Sequence, residues 1–259
     1  MNAQSGADAG ASRPRSERWR GALLLVALLA LWQVSAAYWA ASPSWPPLTA
    51  IAASAVAGLS SGELPAAFSQ TLYVTAVGYV IGVLCAIVLG LAMAKLRVAR
   101  ALLGPWVEML RPVPISAIVP PLILLLGLDD ALKIFAVAFS VFFPVAVNTI
   151  AGVRAVDPVA IDVARTLRVG RVATIRGVLI PASLPYILAG MRISLPLALI
   201  VAVTAEMISG SAGIGYYLIT MQYAMRPADM YAAVFLLALL GYLLNAAFLA
   251  SERRLLHWY

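Results

Sequence analysis

The chain has 259 residues, 63% of them hydrophobic and only 11% charged, with a mean hydropathy of +0.95. Soluble domains are roughly half apolar and about a quarter charged, so this balance excludes a water-soluble globule and points to a bilayer. A single cysteine excludes an intrachain disulfide, and a single histidine, His257, excludes a multi-histidine metal centre or a buried Ser-His-Asp triad.

Residues 1–12, MNAQSGADAGAS, are small and polar and bury too little apolar surface to offset the entropy of ordering. Residues 1–20 are therefore expected to form a disordered cytoplasmic segment, with the membrane domain filling 21–259. The first apolar run, Gly21 to Ala41, is too long for the h-region of a signal peptide, and Trp39 stands where a small-residue cleavage site would be wanted. It reads as a retained helix. The SPSWPPL turn that follows leads into an alanine-rich stretch expected to lie as a short helix along the outer interface.

Further apolar runs cover Thr71–Ala94, Ala131–Val153, Tyr186–Ile208 and Met230–Ala250. At ~1.5 Å per residue each reaches about 30 Å, a bilayer core. Ile115 to Leu128 is shorter and is led by prolines; counted as a span it brings the total to six. The expected fold is all-α and polytopic, with six transmembrane helices. Placing the N-terminus in the cytoplasm puts Arg13, Arg15, Arg18, Arg20, Lys95, Arg97, Arg100, Arg111 and the arginines from Arg154 to Arg176 inside, with Arg253 and Arg254. Outside, only Lys133 and Arg226 remain, beside Glu63, Asp129, Asp130 and Asp229. This is a positive-inside arrangement with both termini cytoplasmic, and it leaves no basic patch for nucleic acid.

The second run carries Gly78, Gly82, Ala86 and Gly90 at four-residue spacing. Such a ridge lets another helix approach closely, either within the same chain or from a second copy. Cys85, in the same run, reads as buried packing. Pro112, Pro114, Pro120 and Pro121 lack backbone donors, so no straight helix crosses them. Broken helix at membrane depth lines a wet cavity or marks a distorted re-entry of the chain.

Asp157-Pro158 is a helix start, since the aspartate caps free N–H groups and proline is tolerated in the first turn. A helix from Pro158 to about Arg168 gathers Val159, Val163 and Leu167 in an apolar stripe and Asp162, Arg165 and Arg168 in a charged one. Gly170 then permits a turn, and Thr174 to Tyr186 leads back to the membrane. On these residues alone, the helix docks a protein or rests on anionic headgroups.

In the next run Pro196 is expected to kink the helix, and Glu206 lies near its outer end. A carboxylate in a membrane segment is a functional candidate by default, as a gate or as an anchor of the SGSAGIG turn, although water is expected to reach this depth. Among other classes, an intramembrane enzyme would want paired carboxylates or a nucleophile with its base, and Asp129-Asp130 sit at a short outer turn where solvation suffices. An ion-coupled secondary carrier would want a carboxylate deep in the bundle, which the sequence does not place there. No G-x-x-x-x-G-K-[ST] loop occurs, so this chain does not cradle ATP in the usual way.

From about residue 60 onward the chain resembles the permease subunits of nitrate/sulfonate/taurine-type ABC importers. The resemblance rests on an ordered series: Glu108 to Pro112 with Pro114, Asn148-Thr149 with Gly152, Asp157-Pro158, Leu184 to Gly190, Ala205-Glu206-Met207, Gly213 to Tyr216 and Glu252 to Leu256. It implies that residues 157–186 form the "EAA" loop, whose Asp162, Ala164, Arg165, Leu167, Arg168 and Gly170 seat in a groove of a cytoplasmic ATPase. It also implies that this partner binds the ATP, that an extracytoplasmic binding protein delivers a small solute, and that two permease copies pair in the inner membrane. Pro112, Pro114, Pro120, Pro196 and Glu206 then become candidates for pathway or gate. Two departures stand out: Asp162 replaces the usual glutamate, and Arg168 replaces the usual glycine, leaving Gly170 nearby to supply the turn.

Overall fold

A computed structural model describes residues 15–39, 42 and 44–256. The disorder expected of residues 1–12 and the position of His257 lie outside the described residues. All regular structure among them is helical. Helix α1 (Arg15–Val34) runs into a π-helical turn (Ser35–Trp39), and α2 (Leu48–Ser60) follows the proline turn. Trp32 of α1 stacks on Trp45 at 4.2 Å and meets Tyr231 edge-on at 5.6 Å, and its indole donates to the Pro46 carbonyl at 3.0 Å. Aromatic rings with one polar tip suit the membrane–water boundary, and this cluster fixes the end of α1 there.

Helix α3 (Glu63–Lys95) has 33 residues and starts a full two turns before the apolar run does. Gly62, at φ 83°, breaks the chain from α2, and the first two turns of α3 bury Leu64 and pack Ala67 and Phe68 into a second core with α10 (Ile214–Tyr223) and α11 (Pro227–Leu255). Its small-residue ridge packs within the chain, on α6 (Asp130–Arg154). A Cβ on Gly78 would lie 2.7 Å from Val137, one on Gly82 2.6 Å from the Ala138 carbonyl, and one on Gly90 2.9 Å from Thr149. Ala86 is fully buried in the same seam. The subunit-interface reading of the ridge is thereby overturned, because its surface is already covered.

Those contacts advance together along both helices, so α3 and α6 are parallel. The segment between them must therefore return the chain from the Lys95 end to the Asp130 end. It does so as α4 (Arg97–Leu110) and α5 (Ile115–Leu126), bent by 107° at the prolines. Each is too short to span a bilayer alone, yet the pair makes the return, and with it counted the described residues hold six helical segments long and apolar enough to cross a membrane. Arg100 donates to the carbonyls of Met93 and Ala94, capping α3 where its orphan acceptors and negative dipole end favour a cation.

Helix α7 (Pro158–Thr166) and the single turn α8 (Arg171–Thr174) lead through a π-helical turn (Ile175–Leu179) into α9 (Ile180–Ser209). Helix α9 packs antiparallel to α6, with Gly152 against Tyr186 and Gly190 against Asn148. It remains one helix through Pro185 and Pro196, so the expected kink at Pro196 does not break it. Helices α10 (Ile214–Tyr223) and α11 (Pro227–Leu255) complete the chain.

The main core joins α3, α6 and α9 through Val74, Ala86, Val137, Val141, Ala198 and Ala202. By contrast α1 leaves most of its apolar side chains exposed, such as Leu24 and Leu25, and α11 about half, such as Leu243. In water this would be untenable; in lipid it is the expected outer surface. Cys85 also faces outward, lining an apolar cavity between α3, α4 and α6, so the expectation of buried packing fails.

Candidate functional site

Three places gather the residues singled out above. At the Arg154 end of the bundle, Asp157 caps α7 by accepting from the Val159 N–H at 2.8 Å. One face of α7 holds to the bundle: Ala164 is buried, and Ile161 packs against Val153, Val156 and Leu179. The opposite face is bare. Val159, Val163 and Leu167 are 64%, 52% and 70% exposed, and beside them Asp162 pairs with Arg165 at 3.0 Å, both open to solvent. None of the described residues covers this apolar stripe.

The end of α7 corrects the sequence reading. The left-handed residue is Arg168 itself, at φ 54°, and not Gly170. The Val169 N–H donates to the Ala164 carbonyl and the Arg168 N–H to the Arg165 carbonyl, both at 2.9 Å. This is a Schellman stop with arginine where glycine is favoured, and the left-handed backbone costs an L-residue roughly 1–2 kcal/mol. The helix end falls where the usual glycine would put it, with Arg168 tolerating the conformation.

The second place is a cavity of about 500 Å³ among the start of α5, the middle of α6 and the middle of α9. Pro112 and Pro114 line it, whereas Pro120 and Pro196 do not. Arg111 is its one charged lining residue, and Ser140 and Asn148 are the polar ones. The charge count had put Arg111 on the cytoplasmic rim. In fact α4 doubles back along α3, and Leu103, Trp106 and Leu110 face the α3 surface between Met93 and Ile81. Arg111 is thereby carried to the level of Phe139 and Phe143, near mid-length of α6. Its position at the proline break was the only sequence signal.

The third place is at the opposite end. Glu206 is completely buried, contrary to the expected access of water. One of its oxygens accepts from the Thr71 hydroxyl at 2.9 Å and from the Gly215 N–H at 3.0 Å, and Thr71 in turn accepts from the Ile214 N–H at 2.8 Å. Gly213, at φ 100°, lies directly on the carboxylate, where no Cβ would fit. Lys133, assigned to the outer solvent by the charge count, is also buried, donating to Asp130 at 3.3 Å and to the Ala212 carbonyl at 3.4 Å. Gln70 donates to the same Asp130 oxygen at 2.7 Å. Together these bonds lock the turn between α9 and α10 onto α3 and α6. Sequence reading found Glu206 but missed Thr71 and Lys133, which signal nothing until the helices are assembled. No group of three or more metal-ligating side chains occurs among the described residues.

The family model described as "Binding-protein-dependent transport system inner membrane component" matches residues 78–257. A Bacillus subtilis protein described as an "aliphatic sulfonates transport permease protein" is 32% identical over 98% of this chain and 94% of its own length. A "Nitrate import permease protein" of Leptolyngbya laminosa is 31% identical over 71% of this chain and 67% of its own. Among solved structures, the inward-facing MetNI methionine ABC transporter contains a chain that aligns with a TM-score of 0.62 at 18% identity, covering 72% of this chain and 93% of that one, a likeness of fold. With the family model spanning well over half of its length, the chain belongs to the inner membrane components of binding-protein-dependent transport systems, the permease subunits of ABC importers.

Proposed function

We propose that this chain is the non-catalytic, path-forming subunit of an importer for a small sulfonate- or nitrate-like solute, driven by ATP that a cytoplasmic partner binds. Two copies work together with two ATPase subunits and an extracytoplasmic binding protein. Residues 21–259 form the membrane domain, both termini face the cytoplasm, and the 157–186 loop is the coupling element. The observation that carries this reading is α7, which is anchored on one face and leaves Val159, Val163 and Leu167 bare on the other, beside the exposed Asp162–Arg165 pair. Docked in an ATPase groove, that stripe moves with the nucleotide subunits, and Ala164 and Ile161 pass the motion to the α6–α9 core. The names of the sulfonate and nitrate relatives support the solute class.

The test is co-purification of the ATPase together with substrate-stimulated ATP hydrolysis. Asp162→Lys places two like charges where a pair stood and is expected to weaken association by a few kcal/mol at a partly desolvated interface. Arg168→Gly, relieving the left-handed strain, is expected to keep association and to raise the thermal stability of the assembly slightly. Full association and stimulation in Asp162→Lys would make α7 a membrane-surface helix instead.

A further inference from the structure

We infer that Arg111 is the anion contact of the translocation path, the residue that makes the mid-membrane cavity selective for a small oxyanion over a neutral or cationic solute. This rests on the importer reading for its direction of transport, but its own argument is local. An arginine at the mid-length of a membrane bundle is costly unless it faces a partner or water. Arg111 has no carboxylate within salt-bridge distance among the described residues, the ion pairs there being Lys133–Asp130, Arg165–Asp162 and Arg226–Asp229. Glu108, one turn back on α4, is exposed and does not reach it. Its place is instead the wall of a cavity of about 500 Å³, the size of a small-molecule site.

The rest of the wall is suited to an anion that must not stay. The 107° bend between α4 and α5 at Arg111–Pro114 brings the exposed Arg111 into the cavity wall. Pro144 has no N–H, so the Ser140 carbonyl loses its helical donor, and the Asn148 amide turns back to the Pro144 carbonyl at 2.8 Å. The Ser140 hydroxyl and the remaining N–H of the Asn148 amide are neutral donors beside one cation in a mostly apolar wall. A guanidinium fork matches the planar oxygens of nitrate and two oxygens of a sulfonate. One charge against apolar walls binds weakly, as passage requires. A lipid phosphate offers the same chemistry, so the test must separate the two.

The experiment is carried out on the permease–ATPase complex in nanodiscs, with Cys85→Ser removing the native thiol and Val147→Cys placing a new one in the cavity wall. The thiol is labelled with a sulfonatoethyl methanethiosulfonate, anionic, and with its trimethylammonioethyl counterpart, cationic. The ratio of the two rates reads the local potential. Adding Arg111→Gln is expected to lower the anion-to-cation ratio about tenfold, as loss of a unit charge within several ångströms at moderate dielectric should. Arg111→Lys is expected to keep the ratio, which also shows that a changed residue 111 still folds. Millimolar methanesulfonate is expected to slow labelling only when the charge is present, and methanesulfonamide not at all. An unchanged ratio in Arg111→Gln, or an equal change in Arg111→Lys, would overturn the inference. So would a ratio that depends on replacing phosphatidylcholine by phosphatidylglycerol, which would assign Arg111 to headgroups. None of these readouts needs ATP, so failure here is distinguishable from failure of the importer reading.

Discussion

Replacing Gly82 with leucine is expected to unfold the seam between α3 and α6 inside one chain. Even a bare Cβ at this position would sit 2.6 Å from the Ala138 carbonyl and 3.0 Å from Val141. Backbone cannot yield there as a flexible side chain would, so α3 and α6 must part along their parallel seam. Overpacking of a tight interior costs typically 1–3 kcal/mol, and contact with backbone places this change at about 3 kcal/mol or more. The measurement is the thermal midpoint of the purified chain in detergent, and a fall of several degrees is expected before any question of assembly arises. An unchanged midpoint with loss of pairing between copies would return the ridge to the subunit interface.

The second large effect is expected at Glu206. Truncation to alanine strips the acceptor from the Thr71 hydroxyl and the Gly215 N–H, both buried, and leaves a void under Gly213. The orphaned Gly215 N–H and the cavity together cost about 3 kcal/mol, while the Thr71 hydroxyl still has the Ala67 carbonyl at 3.2 Å. Glu206→Gln keeps an oxygen for both donors and is expected to lose much less. The pair of variants separates two roles, since an anchor needs the acceptor whereas a proton carrier needs the titratable acid. Uptake that survives in Glu206→Gln and fails in Glu206→Ala fits the anchor. Loss of uptake in the glutamine variant, with stability intact, would revive an ion-coupled mechanism.

Much of this architecture was legible because membrane helices announce themselves by length and apolarity, and because caps and small-residue ridges carry local physics. The four-residue spacing of Gly78, Gly82, Ala86 and Gly90 marked a close approach, but spacing cannot say which helix approaches, and only assembly shows α6 there. Asp157 was readable as a cap from its own neighbours, and its bond to Val159 needs nothing distant. Arg168 is the instructive case. Composition directed the turn to the nearest glycine, whereas the Schellman hydrogen bonds hold the left-handed residue at a fixed distance from the helix end, whatever side chain stands there. Glu206 stands at the expected end of its helix and differs only in being buried, whereas Arg111 and Lys133 were misplaced in depth for a common reason. Charge counting assigns a side to a whole loop, and it cannot see α4 doubling back or an outer turn folding over a lysine.

If a partner's ATP cycle moves this chain, energy dependence shows it most directly. The chain is reconstituted in proteoliposomes with its ATPase and binding protein, and uptake of labelled ethanesulfonate or nitrate is followed with the proton gradient collapsed. Uptake is expected to require ATP and the binding protein, and to persist without the gradient. Uptake by this chain alone, driven by an ion gradient and indifferent to ATP, would contradict it.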